Sequence, residues 1–380
     1  MKKFIKNHIP FLIMSFILLL MIIFLIVMAV LQKNTTISEA WTRGFGRQYT
    51  KAMSYFNSNF LFSVTEVSFF VVLLSCVFFL GWGFSFLGNK KVWPFVHRAL
   101  MVILIIVGAV TMYNASVGFA YTREALPIEG YKGEIKKEDF REIAEYFVQD
   151  YNQCANELGI DEKGELIMPY SKEDMIAKVR LEFNKLHDDY FSDTLAHPKP
   201  LGTSGLFNTV GIVGMYFGVL SEVNYNTYST NAELPFYIAH ELCHSIGVMR
   251  EDDAQFLSFY LLSTSDDPLL RYSAYYNTID RIIAIASYTG NQNDYSEVKG
   301  MISEDIKTNY KYIYEHWKGR MFLYDLGNTF NDWYLKIFSQ SNGTISYNDT
   351  PTEVDPGGYV VTLSNYQSIY FKIYYDKHSS

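Results

Sequence analysis

Hydrophobic and polar positions divide the chain into two stretches that follow different rules. Phe11 to Leu31 is a run of 21 residues without a charge, and Val67 to Leu87 is a second run of 21. A third extends from about Ala99 to Ala120, with Tyr113 and Asn114 near its far end. A helix of about 20 such residues crosses a hydrocarbon core about 30 Å thick. Three transmembrane helices are therefore predicted, at about 11–31, 67–87 and 99–120. The first exceeds the core of a signal peptide, about 7–15 residues, and no small-residue cleavage site directly follows it.

After Tyr121 the pattern becomes that of a soluble domain. Lys137–Leu158 places Phe140, Ile143, Phe147, Tyr151 and Ala155 at helical spacing, and Ser171–Leu186 reads as a second helix with Asp174 in its first turn. Pro198, Pro200, Gly202 and Gly205 interrupt the pattern. Gly211–Asn226, rich in Val, Tyr and Phe and broken by Gly211, Gly214 and Gly218, predicts one or two strands. A helix over Phe236–Ile246 follows, with Pro235 in its first turn and Gly247 as its stop. Another begins at Glu251, and several Tyr-rich amphipathic helices lie between Leu270 and Phe338. Asn342–Gly358 reads as loop and Tyr359–Tyr375 as a final strand or helix. The expected architecture is a three-span helical membrane anchor over 1–120 and a mainly α soluble domain over 121–380.

Charge follows the same division. Residues 1–120 carry ten Lys and Arg against Glu39 and Glu66, which leaves 22 of the chain's 32 basic and 38 of its 40 acidic residues for the rest. The acidic second stretch offers no basic surface to phosphates, so a nucleic-acid partner is not expected, whereas a lipid bilayer is. Lys2, Lys3 and Lys6 precede the first span, and Lys90, Lys91 and Arg98 sit between the second and third. The loop from about Gln32 to Phe60 holds Lys33, Arg43, Arg47 and Lys51. The excess predicts the N-terminus inside and the soluble domain extracytoplasmic. Cys76, Cys154 and Cys243 form no disulfide framework and read as small buried side chains.

The candidate chemistry lies in His240-Glu241-Leu242-Cys243-His244. On a helix the two histidines share one face, about a turn apart, and both reach one Zn2+ at about 2.0–2.1 Å. Glu241, next to the first ligand, is placed to act as general base on a zinc-activated water. Phe236, Ile238, Ala239, Leu242 and Ile246 make the rest of the helix apolar, and burying two His and a Glu among them is costly without a metal. A catalytic zinc takes a third protein ligand. Glu251 is the first choice and Asp252 the second, while Asp253 is an alternative ligand or a partner that orients a histidine. Ordinary acidity at a helix N-terminus is the competing explanation of that cluster. His316 reads as a packing histidine.

These residues, together with Pro198-Lys199-Pro200, Gly211–Phe217, Ser221–Asn226, Leu234-Pro235-Phe236 and Arg250–Leu257, resemble the bacterial membrane family catalogued as domain of unknown function 3810. The resemblance extends back to Tyr113-Asn114 and Tyr121–Pro127 and forward to Asn331–Lys336 and Gly343–Tyr347. It implies a zincin-like α+β metallopeptidase domain tethered to the membrane, with His240 and His244 as zinc ligands and Glu241 as base. Glu251-Asp252-Asp253-Ala254 is similar to the Glu-x-x-Ala element of gluzincin membrane proteases, which adds weight to Glu251. Asp253 stands where the family more usually has Glu, and Gln255 where gluzincins often carry Asp. An edge strand beside such a helix binds extended peptide by strand addition, for which Tyr216, Glu222 and Asn224 in Tyr216–Tyr225 are the candidates. Tyr347 is a candidate oxyanion donor. The function expected is hydrolysis of a peptide or protein substrate. A zinc-fold membrane sensor or interaction protein and a zinc amidase acting on cell-envelope material are the alternatives.

Overall fold

The computed structural model describes residues 2–193, 195–291, 293–337, 353–354 and 360–378, and the chain is mostly helical. It forms two units. One comprises Met1–Ala125 together with Phe217–Glu222, the other Leu126–Tyr216 together with Val223–Ser380.

The first unit contains α1 (Lys2–Leu31), α2 (Thr35–Trp41), α3 (Arg47–Asn57), α4 (Val64–Gly88) and α5 (Val92–Val117). Three stretches are long and apolar enough to cross a membrane: His8–Leu31, Val64–Gly88 and Val92–Thr122. The third starts earlier than its uncharged core suggests because Arg98 does not break the helix; its guanidinium lies 4.0 Å from the ring centroid of Trp82. Leu12, Phe16, Leu74, Phe78 and Ile106 are exposed, whereas Ser54, Asn57, Ser63, Thr65 and Arg123 are buried. That inversion suits helices whose outer faces meet lipid rather than water.

The segment between the first two spans, expected as a loop, is largely helical. Asn34 caps α2 by accepting from the Ile37 N–H at 3.1 Å. The inward positions of α3 are Thr50, Ser54 and Asn57, so its periodicity is polar and carries no apolar stripe to read from the sequence.

The second unit contains α6 (Lys137–Leu158), α7 (Lys172–Glu182), β1 (Lys199–Pro200), α8 (Ser204–Thr209), all but the last residue of β2 (Gly214–Phe217), all but the first of β3 (Glu222–Tyr225), α9 (Leu234–Ser245) and α10 (Glu251–Ser263). Then follow α11 (Pro268–Ala284), α12 (Asp294–Gly300), α13 (Glu304–Trp317), α14 (Tyr324–Ile337), β4 (Glu353–Val354), β5 (Val360–Thr362) and α15 (Asn365–His378). The C-terminal stretch expected as strand or helix supplies both, β5 and then α15. Most of the stretch expected as loop, and Tyr347 with it, lies outside the described residues.

The core of this unit is where α6, α9, α10 and α11 pack. Phe140, Ile143, Ala144, Phe147, Tyr151 and Ala155 form the buried stripe of α6, as their spacing requires. Tyr151 lies 4.7 Å from Tyr272 between ring centroids, and the Tyr272 and Tyr275 hydroxyls donate to Asn309 and Asp150 at 2.9 and 2.5 Å. A tyrosine-rich core is stable only when such hydroxyls find acceptors. All three cysteines are free thiols, with Cys243 Sγ 3.4 Å from Ser258 Oγ.

The sheet has the order β1-β3-β2, with β1 parallel to β3 through the pairs Lys199–Asn224 and Pro200–Tyr225. β3 is central and β2 is an outer strand.

Candidate metal centre

The helix α9 begins one turn before the motif, with Pro235 in its first turn, where a missing N–H costs nothing. It ends at Ser245, and two residues later Gly247 adopts φ 95. The Gly247 and Val248 N–H groups donate back to the His244 and Cys243 carbonyls, at 3.1 Å each. That left-handed turn reverses the chain, and α10 starts at Glu251 with its first turn aimed back at α9.

The result brings His240, His244 and Glu251 together, one donor atom from each lying within 4.8 Å of the others. The Nε2 atoms of His240 and His244 lie 3.0 and 3.6 Å from the same oxygen, Glu251 Oε2. The two imidazoles stand nearly perpendicular, at 87° with centroids 4.8 Å apart. His244 Nδ1 lies 2.8 Å from the Val248 carbonyl, so this nitrogen carries the proton and Nε2 faces the cluster. The same turn that ends α9 thus sets the ring orientation of the second histidine. His240 Nδ1 is buried with no hydrogen-bond partner among the described residues.

The buried carboxylate and the two imidazoles shift one another in opposite directions. Burial by itself would raise the Glu251 carboxyl, but the two imidazoles outweigh it and hold the group well below the usual carboxylate range. Burial would likewise lower His244, yet the Glu251 charge and hydrogen bond push it up to about 9. In a protein with no metal, a proton on imidazole occupies the place of the cation. Glu241 is buried beside them, and that burial raises its carboxyl against the opposing pull of both histidines. Two imidazole nitrogens and a carboxylate oxygen are donors suited to Zn2+. The residues present fit such an ion.

Asp252 and Asp253 fall elsewhere. Asp253 Oδ2 pairs with Arg250, 2.5 Å from both Nε and Nη2, rather than with a histidine. Asp252 Oδ1 accepts from the Asp253 N–H at 3.0 Å, an ordinary helix-start contact. The physical reason is spacing: Arg250 and Asp253 are i, i+3 on the first turn of α10, so the pair closes locally.

The strand candidates separate too. Tyr216 lies on the outer strand β2, with its ring 6.2 Å from that of His244. Its backbone N–H donates to the Glu241 carboxylate. Asn224 is fully buried on the central strand, which has neighbours on both edges and offers none to a substrate. Glu222 is also buried, its carboxylate engaged by α4: it accepts from Val64 N–H at 3.1 Å and Thr65 N–H at 2.6 Å. Those two expectations are corrected; among the described residues β2, not β3, is an outer strand.

Sequence reasoning passed over Gly214. A Cβ there would come 2.8 Å from Glu241 Oε1 and 2.9 Å from its Cγ, so only glycine lets β2 pack this closely on the motif helix. His316 serves in packing, as expected: its Nε2 lies 2.8 Å from the Tyr228 carbonyl.

A family model described as "Protein of unknown function (DUF3810)" matches residues 41–352. The match covers most of the chain, and the protein belongs to that family. No curated protein and no solved structure matches it.

Proposed function

We propose that the chain is a membrane-anchored zinc metallopeptidase of zincin type. The observation that carries this reading is the convergence of His240, His244 and Glu251 with a separate buried carboxylate, Glu241, one residue from the first histidine. A purely structural metal site has no use for that second acid. Bound zinc would supply a Lewis acid for the scissile carbonyl and a lowered pKa for water. Glu241, whose carboxyl burial raises, is suited to accept the proton of the attacking water and to deliver it to the leaving amine. Extended peptide would add along the outer side of β2, beside Glu241, through backbone hydrogen bonds. The Lys-rich flanks support a reading in which the N-terminus and the 89–91 turn are cytoplasmic and the second unit is extracytoplasmic.

The test uses full-length protein in detergent, wild type beside Glu241→Gln, with zinc content and peptide cleavage measured on the same preparations. Stoichiometric zinc in both is expected, together with a loss of cleavage by about 10²–10⁴-fold in the variant. Wild-type protein without zinc under non-chelating conditions, or cleavage indifferent to the substitution, rejects the reading.

A further inference from the structure

Within the first unit, the turn that joins α4 to α5 carries Lys90 and Lys91, and Arg98 follows nearly two turns into α5. No Asp or Glu occurs in the sequence between Glu66 and Glu124, so this stretch supplies its cations with no carboxylate of its own. Lys90 holds a left-handed φ of 56 that closes α4; its N–H donates to the Leu87 carbonyl and that of Lys91 to the Phe86 carbonyl, at 2.9 Å each. Glycine or asparagine is the usual residue at such a position, so the backbone does not explain a lysine there. Both lysines are exposed. Arg98 is half-buried and placed by packing. A Cβ at Gly83 would come 3.2 Å from Arg98 Cβ and 3.3 Å from Phe95 Cδ2, so glycine lets α4 and α5 approach closely where Arg98 leaves its helix. The guanidinium carbon lies 4.0 Å from the Trp82 ring centroid and 5.8 Å from that of Phe86. Its Nε is buried with no hydrogen-bond partner among the described residues.

We propose that the α4–α5 turn binds the phosphate of an anionic phospholipid, with Arg98 as its inner contact and Lys90 and Lys91 as its outer ones. Side chains on a helix lean towards its N-terminus, so Arg98 leans towards the turn. It lies about 10 Å along the axis from Lys91, a distance that a flexible lysine and a headgroup close from the two sides. A guanidinium laid over an aromatic face keeps its N–H fork for a bidentate contact with phosphate. Without an anion, that charge in an apolar helix is costly. Helix dipoles do not account for the lysines, since the end of α4 favours them and the start of α5 disfavours them. A charge that served only to orient the helices would need neither the Trp82 ring nor the gap at Gly83. A lipid rather than free phosphate is the ligand because Leu74, Phe78 and Phe84 of the same hairpin are exposed and suit acyl chains, while Trp82 and Trp93, at 42% and 45% exposure, suit the interface.

The inference is independent of the peptidase reading and rests on α4 and α5 entering a bilayer. Full-length wild type, Arg98→Gln and Trp82→Leu are reconstituted into phosphatidylcholine vesicles, and the association of spin-labelled phosphatidylglycerol is compared with that of spin-labelled phosphatidylcholine. Wild type is expected to prefer phosphatidylglycerol by about tenfold or more. Arg98→Gln should lower that preference about fivefold, the worth of one cation beside an anionic headgroup. Trp82→Leu keeps every charge but frees the guanidinium, and should lower it about threefold. Excess inorganic phosphate is expected to leave the labelled lipid in place. Wild type that floats with the vesicles but shows no preference overturns the proposal. So does a preference that neither variant changes, which marks the diffuse charge of the turn, or one that inorganic phosphate abolishes, which marks a site for the free ion. If Arg98→Gln does not fold, the wild-type preference and Trp82→Leu decide by the same criteria. Wild type that does not float with the vesicles removes the bilayer and the proposal with it, whereas a protein that cleaves nothing rejects only the peptidase reading.

Discussion

Glu39 and Glu251 are both carboxylates at 8% exposure, yet their surroundings differ in kind. Around Glu39 the counter-charges are permanent. Arg123 donates from Nε and Nη2 at 3.1 and 3.0 Å, Arg43 from Nε at 2.9 Å, and the Glu124 N–H at 3.1 Å. Guanidinium stays charged at any ordinary pH, so this carboxylate is neutralised by the chain itself. Around Glu251 the closest partners are His240 and His244, which carry charge only when protonated, and Glu241 adds a second buried acid. The comparison separates a carboxylate whose counter-charges are permanent from one whose counter-charges depend on the protonation of imidazole. Both are buried and hydrogen-bonded, and the second is the one that the metallopeptidase proposal assigns to an ion.

The sharpest way to break that contrast is to remove the resident cation of the first cluster. Arg123→Ala leaves Glu39 buried with one partner fewer, and breaking such a pair costs about 3–5 kcal/mol. Thermal unfolding of the full-length protein in detergent should register that loss in the first unit, while zinc affinity stays at the wild-type value. The double variant Glu39→Met/Arg123→Met should recover most of the stability, because an apolar replacement leaves no lone charge behind. If Arg123→Ala is as stable as wild type, the Glu39 cluster is not the self-contained ion pair described here.

The second cluster answers to a different measurement. Glu251→Ala should weaken zinc binding by more than about a hundredfold, beyond the 10–100-fold typical of a residue behind a ligand. Asp253→Asn, which perturbs only the pair with Arg250, should change it by less than about tenfold. Competition against a chelator of known affinity ranks the two. Equal losses, or a larger one for Asp253→Asn, would sink the assignment of Glu251.

How much of this was legible in the sequence follows from how local each feature is. The convergence of His240, His244 and Glu251 was readable because a helix, a glycine turn and a second helix start within a few residues fix it. The Arg250–Asp253 pair was equally local, but the acidic run was weighed as metal ligands or as helix N-terminal acidity, without Arg250 as a partner. Gly214 was visible only as an interruption of a strand, since the reason for it is a side chain brought close by folding. Glu222 was read as a substrate-strand position, and its contact with α4 was not legible because its partner Thr65 is 157 positions away in the chain. In the first unit the three long apolar helices announced themselves by composition, whereas α3 was hidden because its buried positions, Thr50, Ser54 and Asn57, are polar and leave no apolar stripe to read.

The smallest effect is the pH response of the self-contained cluster. Glu39 lies on α2, outside the three apolar spans. Burial would raise its carboxyl, but the hydrogen bonds and charges of Arg123 and Arg43, with the Glu124 N–H, leave it below its ordinary value. When a carboxyl is lowered by folding, the unfolded chain binds the proton first as pH falls. The stability it contributes is therefore fully present above the ordinary carboxyl range and is lost as pH drops through the lowered, folded value. Wild-type protein should lose more stability between about pH 5 and pH 3 than Glu39→Gln does, with the difference smaller than the effect of Arg123→Ala. Other carboxylates titrate in both proteins, and the contributions of those that do not interact with Glu39 cancel in the difference. Parallel stability curves for the two proteins over that interval would mean that the arginines do not hold Glu39 in its charged form.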